Sequence, residues 1–221
     1  MERALVIGAS GGIGAAVVAA LRGRGVDVTG LSRSADGFDV ADPEAVARGM
    51  AGLSGQFDLI FVATGILAAP GFVPEKSLAA MDAAAMARVM AVNAIGPAMI
   101  LRHVPGLLPR DRSAVVAVLS ARVGSIGDNR VGGWHGYRAS KAALNQIMRG
   151  AAIELARTHK QAVCVALHPG TVATPFTADY AGRHAVVSPE VAAGHLLGVI
   201  DGLEPAQTGG FYDWAGAAVP W

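Results

Sequence analysis

The sequence predicts an α/β fold: one doubly wound parallel sheet with helices on both faces, forming a single domain over residues 1–221. Three observations predict it. Short apolar runs rich in Val, Ile and Leu recur at 4–7, 58–63, 115–119 and 162–167, the pattern of strands buried on both faces. Longer stretches with helical periodicity separate them, at roughly 76–108, 137–158 and 189–202. Strands that alternate with helices call for right-handed crossovers, and so for parallel pairing. Finally, 221 residues of which 52% are apolar and 16% charged suit one large core.

Taken in order, residues 4–7 form the first strand and lead into a glycine-rich turn at 8–14. An alanine-rich helical stretch follows at 15–21, and Gly23 and Gly25 stop it. Residues 26–31 make the second strand. The next segment is too short and polar for a full helix, and Phe38-Asp39-Val40 reads as a brief third strand. Asp42 before Pro43 starts a helix, because Asp accepts from free backbone N–H groups and Pro suits the first helical position. The remaining strands are 58–63, 115–119, 162–167 and a last short one at 210–212. Glycine-rich stretches at 124–136 and 205–210 read as loops, and no linker or internal repeat divides the chain.

A formal net charge of +1 with scattered basic residues gives no field for nucleic acid or an anionic membrane, so neither is expected as a partner. No run approaches the roughly 20 uninterrupted apolar residues of a spanning helix. The first residues lack the features of a secretion signal, and the chain is expected in the cytosol. The single cysteine, Cys164, lies in a Val-Cys-Val core pattern. The histidines show no metal-ligand spacing, so no metal is expected.

In such a sheet, ligands bind at the carboxyl ends of the strands. The turn Gly8-Ala-Ser-Gly-Gly12-Ile-Gly14 exposes backbone N–H groups and the positive end of a helix dipole to a pyrophosphate; its plainer reading is a tight strand-to-helix turn. Arg33, after the second strand, suits a ribose 2′-phosphate, against the reading of a solvated loop residue. Tyr137 and Lys141 share a helix face, where an ammonium would lower the phenol's pKa from its usual ~10 towards that of a general acid/base. Asn93 reads alone as a buried amide, Ser120 as a strand-end hydroxyl, and His168 and His135 as structural.

Together, Gly8, Gly12 and Gly14, Asn93, a serine near 120, Tyr137-Arg-Ala-Ser-Lys141 and Pro169-Gly170 resemble the short-chain dehydrogenase/reductase family over nearly the whole chain. The segments at 74–77, 93–97 and 132–141 and the closing Val-Pro-Trp resemble its compact bacterial subgroup related to C-factor cell-to-cell signalling proteins. The resemblance implies a Rossmann-type domain catalysing carbonyl/alcohol interconversion of a small molecule with NAD(P). NADP(H) is the expected preference, through Arg33, with NAD(H) possible. Tyr137 would exchange a proton with the substrate oxygen, Lys141 would assist it and hold the nicotinamide ribose, Asn93 would hold a water, and Ser120 would be the second donor. Gly8, Ser10, Gly11, Gly12, Ile13 and Gly14 would bind the pyrophosphate, and Asp39 and Val40 the adenine. Ala63, Thr64 and Gly65 would line the cofactor cleft, and Pro169, Gly170, Val172 and Thr174 the nicotinamide. A homodimer or homotetramer is implied as well.

Three positions depart from the family pattern. Ile7 replaces a threonine before the glycine turn, and Val62-Ala63-Thr64-Gly65 replaces Asn-Asn-Ala-Gly. Ala121 stands where the catalytic serine belongs, leaving Ser120 or Ser125 to replace it. The rival reading is a non-catalytic dinucleotide-binding sensor or partner-binding protein, and an epimerase or dehydratase is a third.

Overall fold

The computed structural model describes residues 1–177 and 186–221. Among them, six strands form one parallel sheet: β1 (Arg3–Ile7), β2 (Asp27–Leu31), β3 (Leu59–Val62), β4 (Ala114–Leu119), β5 (Ala162–His168) and β6 (Phe211–Asp213), in the order β2-β1-β3-β4-β5-β6. β1 pairs with β2 on one side and β3 on the other. The chain therefore changes its direction of travel across the sheet at β1, and a crevice opens at the carboxyl ends of β1 and β3.

Alternation along the strands divides the core into two layers. Ala4, Val6, Phe61, Ala117 and Val165 face α1 (Gly12–Gly23) and α7 (Pro189–Asp201), packing on Val17, Leu21, Leu196 and Leu197. Leu5, Ile7, Val116 and Val118 face the other layer, which includes Val46 of α3 (Pro43–Ala51), Ile100 of α5 (Gly96–Leu101) and Leu144 and Met148 of α6 (His135–Thr158). Helix starts follow local chemistry: Asp42 accepts from Glu44 N–H at 2.9 Å before Pro43, and Ser188 accepts from Val191 N–H at 3.3 Å before Pro189.

Two expectations are corrected. Phe38–Val40 is not a strand. The one-turn helix α2 (Arg33–Asp36) ends at Gly37, and the Asp39 carboxylate accepts from Ala41 N–H at 2.9 Å, closing a turn that leaves Phe38 and Val40 buried in the core. The helical stretch at 76–108 is also interrupted. α4 (Ala83–Met90) passes through a π-helical turn, Ala91–Ile95, before α5. Pro97 accounts for the turn, since it has no N–H to give the Asn93 carbonyl four residues earlier. The segment Ala83–Gly106 has the length and mean hydropathy, 1.5, of a spanning helix. Arg88, Asn93 and Arg102 interrupt it, and half of it is buried, as in the core helix of a folded domain.

Candidate active site

The first part of the site is the turn after β1. Gly8 N–H donates to Leu31 O at 2.8 Å, which ties the turn to the end of β2. Gly8 has φ +87°, and a Cβ there would lie 2.9 Å from the Ala63 carbonyl carbon. A Cβ on Gly14 would lie 2.1 Å from Gly8 O, so the turn closes only around glycine. Ser10, Gly11 and Gly12 are exposed around this cradle, with Ile13 half-buried beside them. Ser34 donates to Ser10 Oγ at 2.9 Å, joining the turn to α2, where Arg33 is exposed. Val40, next to Asp39, lies against α5, where a Cβ on Gly96 would be 2.6 Å from Val40 O.

Beyond β3, Ala63, Thr64 and Gly65 continue the cleft. Thr64 lies beside Gly8 and carries a buried hydroxyl without a hydrogen-bond partner. On the far wall, Gly170 turns the chain with φ +77°, Pro169 precedes it, and Val172 is buried. Thr174 reaches back so closely that a Cβ on Gly12 would meet its methyl at 2.6 Å. A side-chain-free cradle, an unpartnered buried hydroxyl and an exposed guanidinium fit a phosphorylated dinucleotide.

The second part lies on α6, whose buried residues Tyr137, Lys141, Leu144, Met148 and Leu155 follow helical spacing along one face. Lys141 Nζ donates to Leu119 O at 2.8 Å and lies 6.0 Å from the centre of the Tyr137 ring. A Cβ on Gly65 would be 3.5 Å from Lys141 Nζ and 3.3 Å from Asn93 Oδ1, so these groups meet at the end of β3. Burial lowers the Lys141 ammonium to about 8. Burial also raises the Tyr137 phenol, which corrects the expected downward shift: desolvation of the phenolate prevails here. Trp134 and Phe176 add to that desolvation by packing edge-on against the phenol ring, at 6.2 and 6.0 Å between centroids.

Asn93 is fully buried and its amide is engaged: Oδ1 accepts from Ile66 N–H, and Nδ2 donates to Ile66 O and Ser140 Oγ, at 2.8 to 3.0 Å. Its side chain has little capacity left for the expected water. The π-helical turn instead denies its main-chain carbonyl the usual α-helical donor. Ser140, which the sequence reading missed, donates to Tyr137 O at 2.7 Å. Its place three residues after Tyr137 was the signal.

The serine expectation is corrected by geometry. Ser120 Oγ donates to Asn145 Oδ1 at 2.6 Å, one helical turn beyond Lys141, and is buried there. Ala121 instead packs with Tyr137 and Val89. Strand alternation sends Ser120 to the α6 layer with Val116 and Val118, and the following residue turns to the phenol. Ser125 is buried and its Oγ accepts from Asp128 N–H at 3.1 Å. His168 is half-buried, with its Nδ1 shut off from solvent and unpartnered; burial and the nearby Arg122 charge bring it down to about 4, against the opposing pull of Asp213.

A dinucleotide cradle at the first strand-helix turn, beside a buried Tyr-Lys pair at the sheet's carboxyl edge, defines the class: a nucleotide-binding oxidoreductase fold. Residues 37–184 match the short chain dehydrogenase family model. The chain belongs to the short-chain dehydrogenase/reductase family and is an oxidoreductase of it. It is 34% identical over the full length of both chains to the 1-hydroxy-2-glutathionyl-2-methyl-3-butene dehydrogenase of Rhodococcus sp. strain AD45. It is 39% identical to the C-signal of Myxococcus xanthus over 66% of this chain and 84% of that one. A Burkholderia multivorans short-chain dehydrogenase/reductase solved with bound NADP superposes with a TM-score of 0.80 at 28% identity, over 100% of this chain and 99% of that one.

Proposed function

We propose that this chain is an NADPH-preferring reductase of small carbonyl compounds in which Tyr137 is the general acid. One observation carries the reading: Tyr137 and Lys141 lie on one buried face of α6, with Lys141 Nζ held on Leu119 O beside Asn93 and Gly65. The glycine cradle, Thr64 and Arg33 would hold the dinucleotide, and Pro169, Gly170, Val172 and Thr174 would border its nicotinamide. When bound, the cofactor supplies the hydride that adds to the carbonyl carbon.

The phenol of Tyr137 gives its proton to the carbonyl oxygen as charge develops there. A buried phenol above its usual pKa is protonated throughout the neutral range, as an acid must be before it donates. Lys141, lowered to about 8, can return a proton to the phenolate afterwards. Ser140 and Asn93 keep the first turn of α6 in place through Tyr137 O and Ile66. The NADP bound by the Burkholderia relative supports the cofactor, and exposed Arg33 supports the preference. On this reading the enzyme is a homodimer or homotetramer, to which exposed Ile95 and Ile153 offer apolar surface.

Tyr137→Phe tests the mechanism. The variant should lose about 10²- to 10⁴-fold in kcat with aldehydes, diketones or quinones while binding NADPH nearly as before. Retention of most of the rate would remove Tyr137 as the acid. A second reading, a dinucleotide-binding protein without efficient catalysis, draws on one observation: a methyl group, that of Ala121, packs in the cluster around Tyr137.

A further inference from the structure

The start of α6 lacks the usual local cap. Its first residue follows Trp134, which holds φ +51°, the one non-glycine positive φ among the described residues, and makes no side-chain cap to the helix. The first turn carries no acidic residue either. One N–H of that first turn, and the N–H just before the helix, are met from another part of the chain, by Glu75 in the loop between β3 and α4. Gly136 N–H donates to both Glu75 carboxylate oxygens at 3.2 Å, across 61 residues of sequence. Trp134 N–H donates to the Glu75 main-chain carbonyl.

The fit is close. A Cβ on Gly136 would lie 2.8 Å from Glu75 Oε1 and 3.3 Å from Met86 Cγ, so the helix approaches the carboxylate as far as a backbone can. Gly136 immediately precedes Tyr137, and Glu75 and the phenol line the same narrow recess, about 20 Å³ in volume, with Leu67, Phe72 and Val89. A carboxylate at a helix N-terminus makes charge-assisted bonds to groups that otherwise lack partners.

We propose that Glu75 is a positioning residue: it seats the first turn of α6 and so aims the Tyr137 hydroxyl into the cleft, coupling the wall of that narrow recess to the catalytic helix. The inference rests on Tyr137 being the acid. What Glu75 contributes is an acceptor at a fixed place, so Gln, which keeps Oε1, should serve where Ala cannot.

The experiment compares wild type, Glu75→Gln, Glu75→Ala and Tyr137→Phe for kcat, KM for the carbonyl compound, NADPH affinity and Gly136 amide hydrogen exchange. Glu75→Ala should lose about tenfold or more in kcat, a change of about 1.4 kcal/mol in the barrier. Its NADPH affinity should stay within about twofold, and its Gly136 amide should exchange faster. Glu75→Gln should restore kcat and protection together. Glu75→Ala keeping wild-type kcat overturns the proposal, as does Glu75→Gln behaving like Ala. If the Ala variant does not fold, Glu75→Gln alone decides: kcat near wild type with a protected Gly136 amide supports the seat, and a loss of either overturns it. Full activity of Tyr137→Phe would instead fail the reading of the acid itself, whatever the Glu75 variants do.

Discussion

Ala121 packs a methyl group in the cluster that holds Tyr137, the proposed acid. A second donor there is worth about 10²- to 10³-fold in kcat in other enzymes. Ser120 is a poor substitute because its hydroxyl is already held by Asn145 on the α6 side of β4. Ala121→Ser should therefore raise kcat by about tenfold or more. Ser120→Ala should leave kcat nearly unchanged while costing about 1 kcal/mol of stability through its lost buried bond. Steady-state NADPH oxidation together with a urea melt separates the two. A collapse of kcat in Ser120→Ala would return the donor role to Ser120.

At the scale of elements, the junction of β2 and α2 is where the proposed preference for NADPH can be tested. Ser32 caps α2, its Oγ accepting from Ala35 N–H at 3.2 Å, and the Asp36 carboxylate folds back onto Ser32 N–H at 2.8 Å. That carboxylate is thereby drawn onto its own helix start, while Arg33 extends into solvent beside the Ser10–Ser34 bond. Arg33→Ala should cost roughly tenfold to a hundredfold in NADPH affinity, the range of a charge-assisted hydrogen bond of about 1.5–3 kcal/mol. NADH affinity should barely change. Titrating both cofactors against the variant checks this, and an equal loss for the two would take Arg33 out of the phosphate site.

For the whole molecule, half-buried His168 and buried Asp58, at the sheet's two ends, contribute to its response to acid. His168 at the carboxyl end is lowered from 6.5 to about 4, so between those values the unfolded chain binds the proton that the folded chain refuses. Its stabilising effect is complete above pH 6.5 and is lost as pH falls, by about 3 kcal/mol once below pH 4. Asp58, at the amino end, acts further down. Burial raises its carboxyl, but the N–H groups of Glu2 and Arg3 and the Arg112 guanidinium outweigh burial and leave it below 3.8. Its contribution is present above that value and is lost as pH falls through its lowered pKa. Urea unfolding at pH 7 and pH 5 should show lower stability at pH 5, and His168→Gln should flatten that difference. An unchanged slope would mean that His168 does not titrate on unfolding.

The strand runs, the helix start at Asp42, the glycine turn and the shared face of Tyr137 and Lys141 were all legible in the sequence. Each is a local matter of side-chain period, of a capping oxygen a few residues from its N–H, or of a backbone that tolerates no Cβ. Even the interruption at Asn93 was written locally, in Pro97. Tertiary structure alone determined that Phe38–Val40 turns into the core instead of pairing, and that Ala121 and not Ser120 meets Tyr137. It also determined that burial raises the phenol and that Glu75 seats α6 from 61 residues away. The reason is common to all of these. Desolvation and hydrogen bonding depend on which distant segments come to lie against a group, and residue spacing along one segment carries no record of that.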